Sequence, residues 1–245
     1  MGEVRDVFAT LRACADEIGV AVTQHRGRGF SGVRESQYHL DVVADEVARR
    51  VLGGAGWRVV SEESGVTGAG PLTVVVDPID GSTNCDHGIP FFATSLAVLR
   101  DGELVAALVQ NHATGTRFEA SRAGGAWRDG SAIRASGRGE IGQAIVSFSG
   151  LPARHIGWAQ YRSLGAASLE FCLVADGSLD AFCVAHGSTL NPWDYLAGLL
   201  IAQEAGAVVT DYLGEDLVTD AMVARQPLVA ASAVLLDHLL AIGPL

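Results

Sequence analysis

A chain of 245 residues with 49% hydrophobic, 18% charged and 7% aromatic residues is too apolar and too lightly charged to stay disordered, and its 30 Gly follow no fibrous period. Seventeen Lys+Arg against 28 Asp+Glu leave a net charge of −11, a surface that repels nucleic-acid backbones and anionic membranes. A small phosphorylated ligand stays compatible with that charge, because a bound cation inverts the local field. Val7, Phe8, Leu11, Cys14, Ile18, Ala21 and Val22 recur at helical spacing and predict a first helix, stopped by Gly27 and Gly29. A loop over 29–38, carrying Arg34 and Glu35, leads to a second helix over 42–52 that stops at Gly53-Gly54. Apolar runs at 57–60 and 72–76 each end in acid, at Glu62-Glu63 and at Asp77. From 93 to 133 the pattern turns to strands (95–99, 104–109 and 114–120) with turns at Asp101-Gly102 and Asp129-Gly130, which predicts an antiparallel meander. The remainder alternates: strand 144–148, helix 166–175, strand 179–184, helix 193–205, strands 207–210 and 228–231, helix 234–242. No repeat, linker or low-complexity tract divides the chain. It reads as one α/β unit over 1–245, an antiparallel lobe up to about 140 and a more layered one from 141.

Cys14, Cys85, Cys172 and Cys183 form no C-x-x-C pair, and all but Cys85 lie in apolar stretches. They read as reduced core thiols of a cytoplasmic protein without a zinc site. The first residues lack the basic stretch and apolar run of a signal peptide, and apolar runs such as 196–202 are too short to span a bilayer.

The informative residues are carboxylates. Asp77-Pro78-Ile79-Asp80-Gly81-Ser82-Thr83-Asn84 follows the apolar run Thr73-Val74-Val75-Val76, which places two acids at the carboxyl end of a buried strand, where open α/β sheets bind ligands. Taken alone, Asp-Pro and Asp-Gly are ordinary turn formers, and Gly81-Ser82-Thr83-Asn84 can equally open a helix. Glu62-Glu63 ends a second apolar strand, Trp193-Asp194 opens an apolar helix, and Asp45 lies in Asp41-Val42-Val43-Ala44-Asp45-Glu46. Converging acids of this kind repel one another unless cations join them, and an all-oxygen set suits Mg²⁺ or Mn²⁺, which also bridge phosphate.

The octapeptide resembles the D-P-[IL]-D-G-[ST]-T-N motif of the inositol monophosphatase family, lithium-sensitive, Mg²⁺-dependent phosphatases. Ser61-Glu62-Glu63-Ser64 is similar to its G-E-E-S segment, Trp193-Asp194-Tyr195-Leu196-Ala197-Gly198 to its W-D-x-A-[AG]-G segment, and Arg162-Ser163-Leu164-Gly165-Ala166-Ala167 to its R-x-x-G-[ST]-A stretch. Ala44-Asp45 falls where the family has the acid of T-x-A-D, and Arg34 where it has a basic loop residue. The resemblance implies a layered α-β-α-β-α sandwich with an antiparallel N-terminal lobe and a mixed C-terminal lobe, and a homodimer. It implies two or three Mg²⁺: Glu62, Asp77 and the carbonyl of Ile79 on the first, Asp77, Asp80 and Asp194 on the second, and a third leaning on Glu62 and water. Asp45 and Ser82 would orient the attacking water, with Glu62 beside them. Gly81, Ser82, Thr83, Gly165, Ala166 and Asp194 would contact a small phosphorylated substrate. Nucleic acid and membrane are not expected partners.

The chain departs from the family at several places. Leu40 and Val42 replace polar or proline residues, Ser82 replaces Thr, Cys85 replaces an aromatic, and 182–184 carries no acid where inositol-specific members bind ring hydroxyls. The connection 185–192 is also longer. Substrates other than inositol phosphate therefore enter: another sugar or polyol phosphate, fructose bisphosphate, histidinol phosphate or a 3′-phosphonucleotide. A non-catalytic regulatory relative is the alternative of a different class.

Overall fold

The computed structural model describes residues 2–25, 27–34 and 36–243, so Glu35 of the predicted loop lies outside the described residues. In chain order the elements are α1 (Gly2–Gln24), α2 (His39–Gly54), β1 (Arg58–Ser61), β2 (Gly65–Thr67), β3 (Thr73–Asp80), α3 (Ser82–His87), β4 (Ala93–Arg100), β5 (Glu103–Asn111), β6 (Arg117–Ser121), β7 (Gly125–Arg128) and β8 (Ser131–Ala132). A 3₁₀ turn (Ile141–Gln143) precedes β9 (Ile145–Ser149), β10 (Gln160–Arg162), α4 (Ala167–Ala175), β11 (Ala181–Val184), α5 (Pro192–Glu204), β12 (Val208–Asp211), β13 (Pro227–Ala230) and α6 (Ala233–Ile242).

The strands form two sheets, ordered β2-β1-β3-β4-β5-β6-β7-β8 and β10-β9-β11-β13-β12. Leu11, Cys14 and Ile18 of α1 and Ala44, Ala48 and Leu52 of α2 pack with Val74, Val76, Leu96 and Val98 on the outer face of the first sheet. The opposite-facing residues of those strands, Val75 and Ala97, join a larger core with α4 and α5. The period of two along β3 and β4 thus feeds one helical layer on each side. Helices α4 and α5 are apolar all round because they lie between the sheets. The far face of the second sheet is closed by Leu235, Leu236 and Leu239 of α6. The layers run α-β-α-β-α, as the resemblance implied.

The first sheet departs from the expected antiparallel lobe. β1 and β3 run parallel, Ser61 beside Val76, because β2 turns back along the outer side of β1 and the chain then crosses to β3. The meander is as read from 93 onward, except that 114–120 divides into a turn and β6, and β7 and β8 continue the sheet. The second sheet is mixed: β9 pairs parallel with β10 and β11, while β13 pairs antiparallel with β11 and β12. Among the described residues no helix is long and apolar enough to cross a membrane.

Candidate active site

The parallel β1–β3 pair explains how acids far apart in sequence meet. Two parallel strands end at the same sheet edge, so the residues that follow them, Glu62 and Asp77, come side by side, and the Glu62 amide donates to Val76 O at 3.2 Å. Pro78 has no N–H for the ladder, and the β3–β4 register shifts between Asp77 and Asp80. Thr94 of β4 donates its hydroxyl to the Pro78 carbonyl at 2.8 Å, which holds this bulge with Ile79 buried inside it. Gly81 follows with φ +83°, and a Cβ there would stand 2.9 Å from Gly165 O, so only glycine lets the first sheet approach the entry to α4 so closely.

Asp194 is the third residue of α5, after Pro192 in the first turn, and its Oδ2 accepts the Asn191 amide at 2.7 Å. Asp80 Oδ2 accepts the amide of Ser168 at 2.7 Å and its hydroxyl at 2.5 Å, tying the bulge to α4. Asp77 is 2% exposed, and its Oδ1 has no hydrogen-bond partner. Burial, then its neighbours Glu62, Asp80 and Asp194, raises its pKa well above the usual carboxylate range. The same causes raise Glu62 to about 8, burial first and then Asp194, and Asp194 to about 7, burial first and then Asp80. Asp80 rises only to about 6, because the Ser168 donors oppose its burial. Glu62 repels Asp77, and a divalent cation between them would offset that repulsion. Among the described residues no three of these side chains close round a single point. The donors are hard oxygens, one of them a buried acceptor lacking any donor, and they fit Mg²⁺-like ions.

Two hollows are lined by members of this acidic centre. The first, about 340 Å³, is lined by Glu62, Glu63, Ser82, Thr83, Asp41 and Arg34. The second, about 230 Å³, is lined by Asp80, Asp194, Gly165, Ala166 and Glu170 among others. Arg34 bridges the Glu63 carboxylate and, at 3.3 Å, the Glu62 carbonyl, while Gln37 donates to the same Glu63 oxygen, and together they hold the preceding loop across the first hollow. Thr83 contributes its hydroxyl to a 3.1 Å bond with Tyr38. Asn84 reaches the other way, donating to Phe91 O and Leu164 O at 2.8 Å each, and His87 makes a 2.9 Å bond with Thr83 O that orders α3.

Asp45 does not line either hollow. Its Oδ1 accepts Ser61 and Ser64 hydroxyls at 2.6 and 2.9 Å, and its Oδ2 pairs with Arg49 at 3.0 Å, so its acceptors are occupied on the far side of β1. The acid that reaches the first hollow is Asp41, one turn earlier. Its Oδ2 caps α2 through the Tyr38 amide at 2.8 Å, and burial, followed by Glu63, raises it to about 7. Two acids four residues apart share a helix face, so the sequence offers both, and Asp41 rather than the expected Asp45 lines the hollow. Gln37 and Glu63 were also missed, their only signal being nearness to Arg34 and Glu62.

The description "Inositol monophosphatase family" belongs to the family model that matches residues 41–242. A "Fructose-1,6-bisphosphatase/inositol-1-monophosphatase" from Archaeoglobus fulgidus is 37% identical over 223 residues, covering 88% of this chain and 83% of that protein. A "Putative Nus factor SuhB" from Neisseria meningitidis serogroup B is 38% identical over 193 residues, 71% of this chain and 72% of its own. The solved structure of the extragenic suppressor protein suhB from Bartonella henselae superposes with a TM-score of 0.81 at 25% identity, over 96% of this chain and 97% of that one. The acids at the shared edge of β1 and β3 thus sit in a chain that, over most of its length, belongs to the inositol monophosphatase family.

Proposed function

We propose that the protein is a Mg²⁺-dependent phosphomonoesterase that hydrolyses a small sugar or polyol monophosphate by in-line attack of water. The observation that carries this is Asp77 Oδ1, a buried acceptor without a partner among Glu62, Asp80 and Asp194. Glu62, Asp77 and the Ile79 carbonyl would hold one ion and Asp77, Asp80 and Asp194 a second, with a third leaning on Glu62; Mn²⁺ shares the same ligand preference. Bound there, the ions lower the pKa of water and offset charge on the phosphoryl group and the leaving oxygen.

The chain's own groups do the rest. Asp41 and Ser82 share the first hollow and orient the attacking water, the role expected of Asp45 passing to Asp41. The amides of Gly81 and Ser82 hold phosphate oxygens, and Thr83 lines the same wall. Gly165, Ala166 and Asp194 line the second hollow, where the alcohol half sits. Arg34 closes the loop over the water side. Inhibition by Li⁺, a homodimer and a cytoplasmic location belong to the same reading.

The test is phosphate release from inositol 1-phosphate, glycerol 2-phosphate and phenyl phosphate after chelation and after Mg²⁺ is restored. Turnover is expected only with the metal, and full turnover in EDTA refutes the mechanism. Relatives named Nus factor SuhB support a second reading, a regulatory module built on the same fold. A panel with no hydrolysis under any metal would favour that one.

A further inference from the structure

In the reading above the second hollow receives the alcohol half of the substrate, and its lining is distinctive. No arginine or histidine lines it, and the chain has no lysine at all. Of the arginines close to it, Arg162 donates to the carbonyl of Tyr161 at 2.7 Å, Arg225 beside Leu190 donates to those of Asp216 and Ala224 at 3.0 and 3.1 Å, and Arg154 is exposed outside the lining. Asp80 and Asp194 are committed to the metal set, but Glu170 is not. It is 1% exposed, the first-turn acid of α4, and it lines the hollow. Its Oε1 accepts the Ser147 hydroxyl and, at 3.0 Å, the Leu164 amide. A carboxylate has about four acceptor positions, so these two donors leave acceptor capacity for a ligand hydroxyl.

The lengthened connection 185–192 contributes Leu190 to the lining, and it is firmly seated. Leu190 exchanges backbone hydrogen bonds of 2.9 and 2.7 Å with Arg225, and Gln226 donates to Ser188 O at 3.0 Å. Gly150, with φ +93°, lies so close beneath Ser188 that no Cβ fits. Val184, where the family's hydroxyl-binding acid was expected, is fully buried and apolar. The lining therefore offers Leu190 and Phe148 where a second phosphate would need cations.

We propose that this hollow accepts an uncharged polyhydroxy leaving group and rejects one that carries a second phosphate, with Glu170 as the specificity-determining acceptor. The proposal rests on the phosphatase reading. Beyond the ions committed to the scissile group, a second phosphate would lose its hydration beside carboxylates with no cationic side chain in the lining to replace it, whereas a hydroxyl gains an open acceptor position of Glu170. Membership of the family leaves the choice open, since the relative from Archaeoglobus fulgidus is named for a bisphosphate and a monophosphate alike.

The test compares kcat/KM for fructose 1-phosphate and fructose 1,6-bisphosphate, which present the same scissile group, with phenyl phosphate as a reference that has no hydroxyl to offer. The wild type should favour the monophosphate by roughly tenfold or more. Glu170→Gln should raise KM for fructose 1-phosphate and narrow that ratio while changing phenyl phosphate turnover far less. Ser163→Arg, a substitution at an exposed position on the rim, adds the missing cation and should shift the ratio toward the bisphosphate even if Glu170→Gln fails to fold. Phenyl phosphate hydrolysis with equal or better use of the bisphosphate overturns the selectivity alone. No hydrolysis of any of the three removes the phosphatase reading and this proposal with it.

Discussion

Asp41 and Asp45 differ by one turn of α2, roughly 5.4 Å along its axis, and their surroundings make opposite demands. Asp45 satisfies three donors and holds the β1 edge to α2. Asp45→Asn should therefore keep kcat within a few-fold but lower stability by about 1–2 kcal/mol, read as a fall in Tm. Asp41→Asn should lower kcat by about a hundredfold or more, with a Tm near that of the wild type. Reversed results would restore Asp45 to the mechanism. Asp77→Asn should abolish divalent-ion binding by calorimetry, and at alkaline pH it should raise the Tm of the chelated protein by removing one of four mutually repelling acids. Unchanged metal binding in that variant would mean Asp77 is not a ligand. The metal-ligand candidates could be read from sequence because short motifs carry them on strand and helix ends. Asp41 could not, because periodicity identifies a helix face without saying which turn of it meets the cavity.

Helix α3 is six residues long and holds few apolar contacts of its own, so side-chain bonds position it. Asn84 does most of this, spanning from α3 to Phe91 and to Leu164 in the other half of the chain. Asn84→Ala leaves two half-buried carbonyls without donors and should cost about 1–3 kcal/mol, read as a fall in Tm, together with a loss of kcat. An unaltered Tm would show that the Gly81–Gly165 approach alone sets the helix. Elements with a strong period were legible, such as α1 through Leu11, Cys14 and Ile18, and the 93–111 hairpin through its Asp101-Gly102 turn. β2 and β10 were not, since three-residue edge strands such as Gln160–Arg162 carry no period and depend on the neighbouring strand for their conformation. The continuous run Thr73-Val74-Val75-Val76 reads as a buried, parallel-type strand, and β3 does pair parallel with β1, but nothing in the run names β1 as its neighbour.

Across the whole molecule the acidic centre links pH, metal and stability. Glu62 and Asp194 have folded pKa values raised to about 8 and 7 by burial and neighbouring acids, and Asp80 to about 6 by burial. A raised carboxyl pKa gives stability that is whole at acid pH and declines as pH climbs from the ordinary carboxylate range through those values. The chelated protein should therefore lose Tm steadily from about pH 5 to about pH 9. Excess Mg²⁺ should remove most of that loss, so the metal-induced rise in Tm grows with pH. A rise that is the same at every pH would place the ion away from these acids.

The order in which the site's parts leave the ribosome follows from the same architecture. Glu62, Asp77 and Asp80 are made early, on strands whose inner face is covered later by α5. Asp194 comes on that very helix, more than a hundred residues after Asp80. A nascent chain that ends before α5 carries three exposed acids and an uncovered apolar sheet, with no complete set of ligands. On the proposed reading, completion of the ligand set and closure of the inner core become a single late event, reached only in the last quarter of the chain.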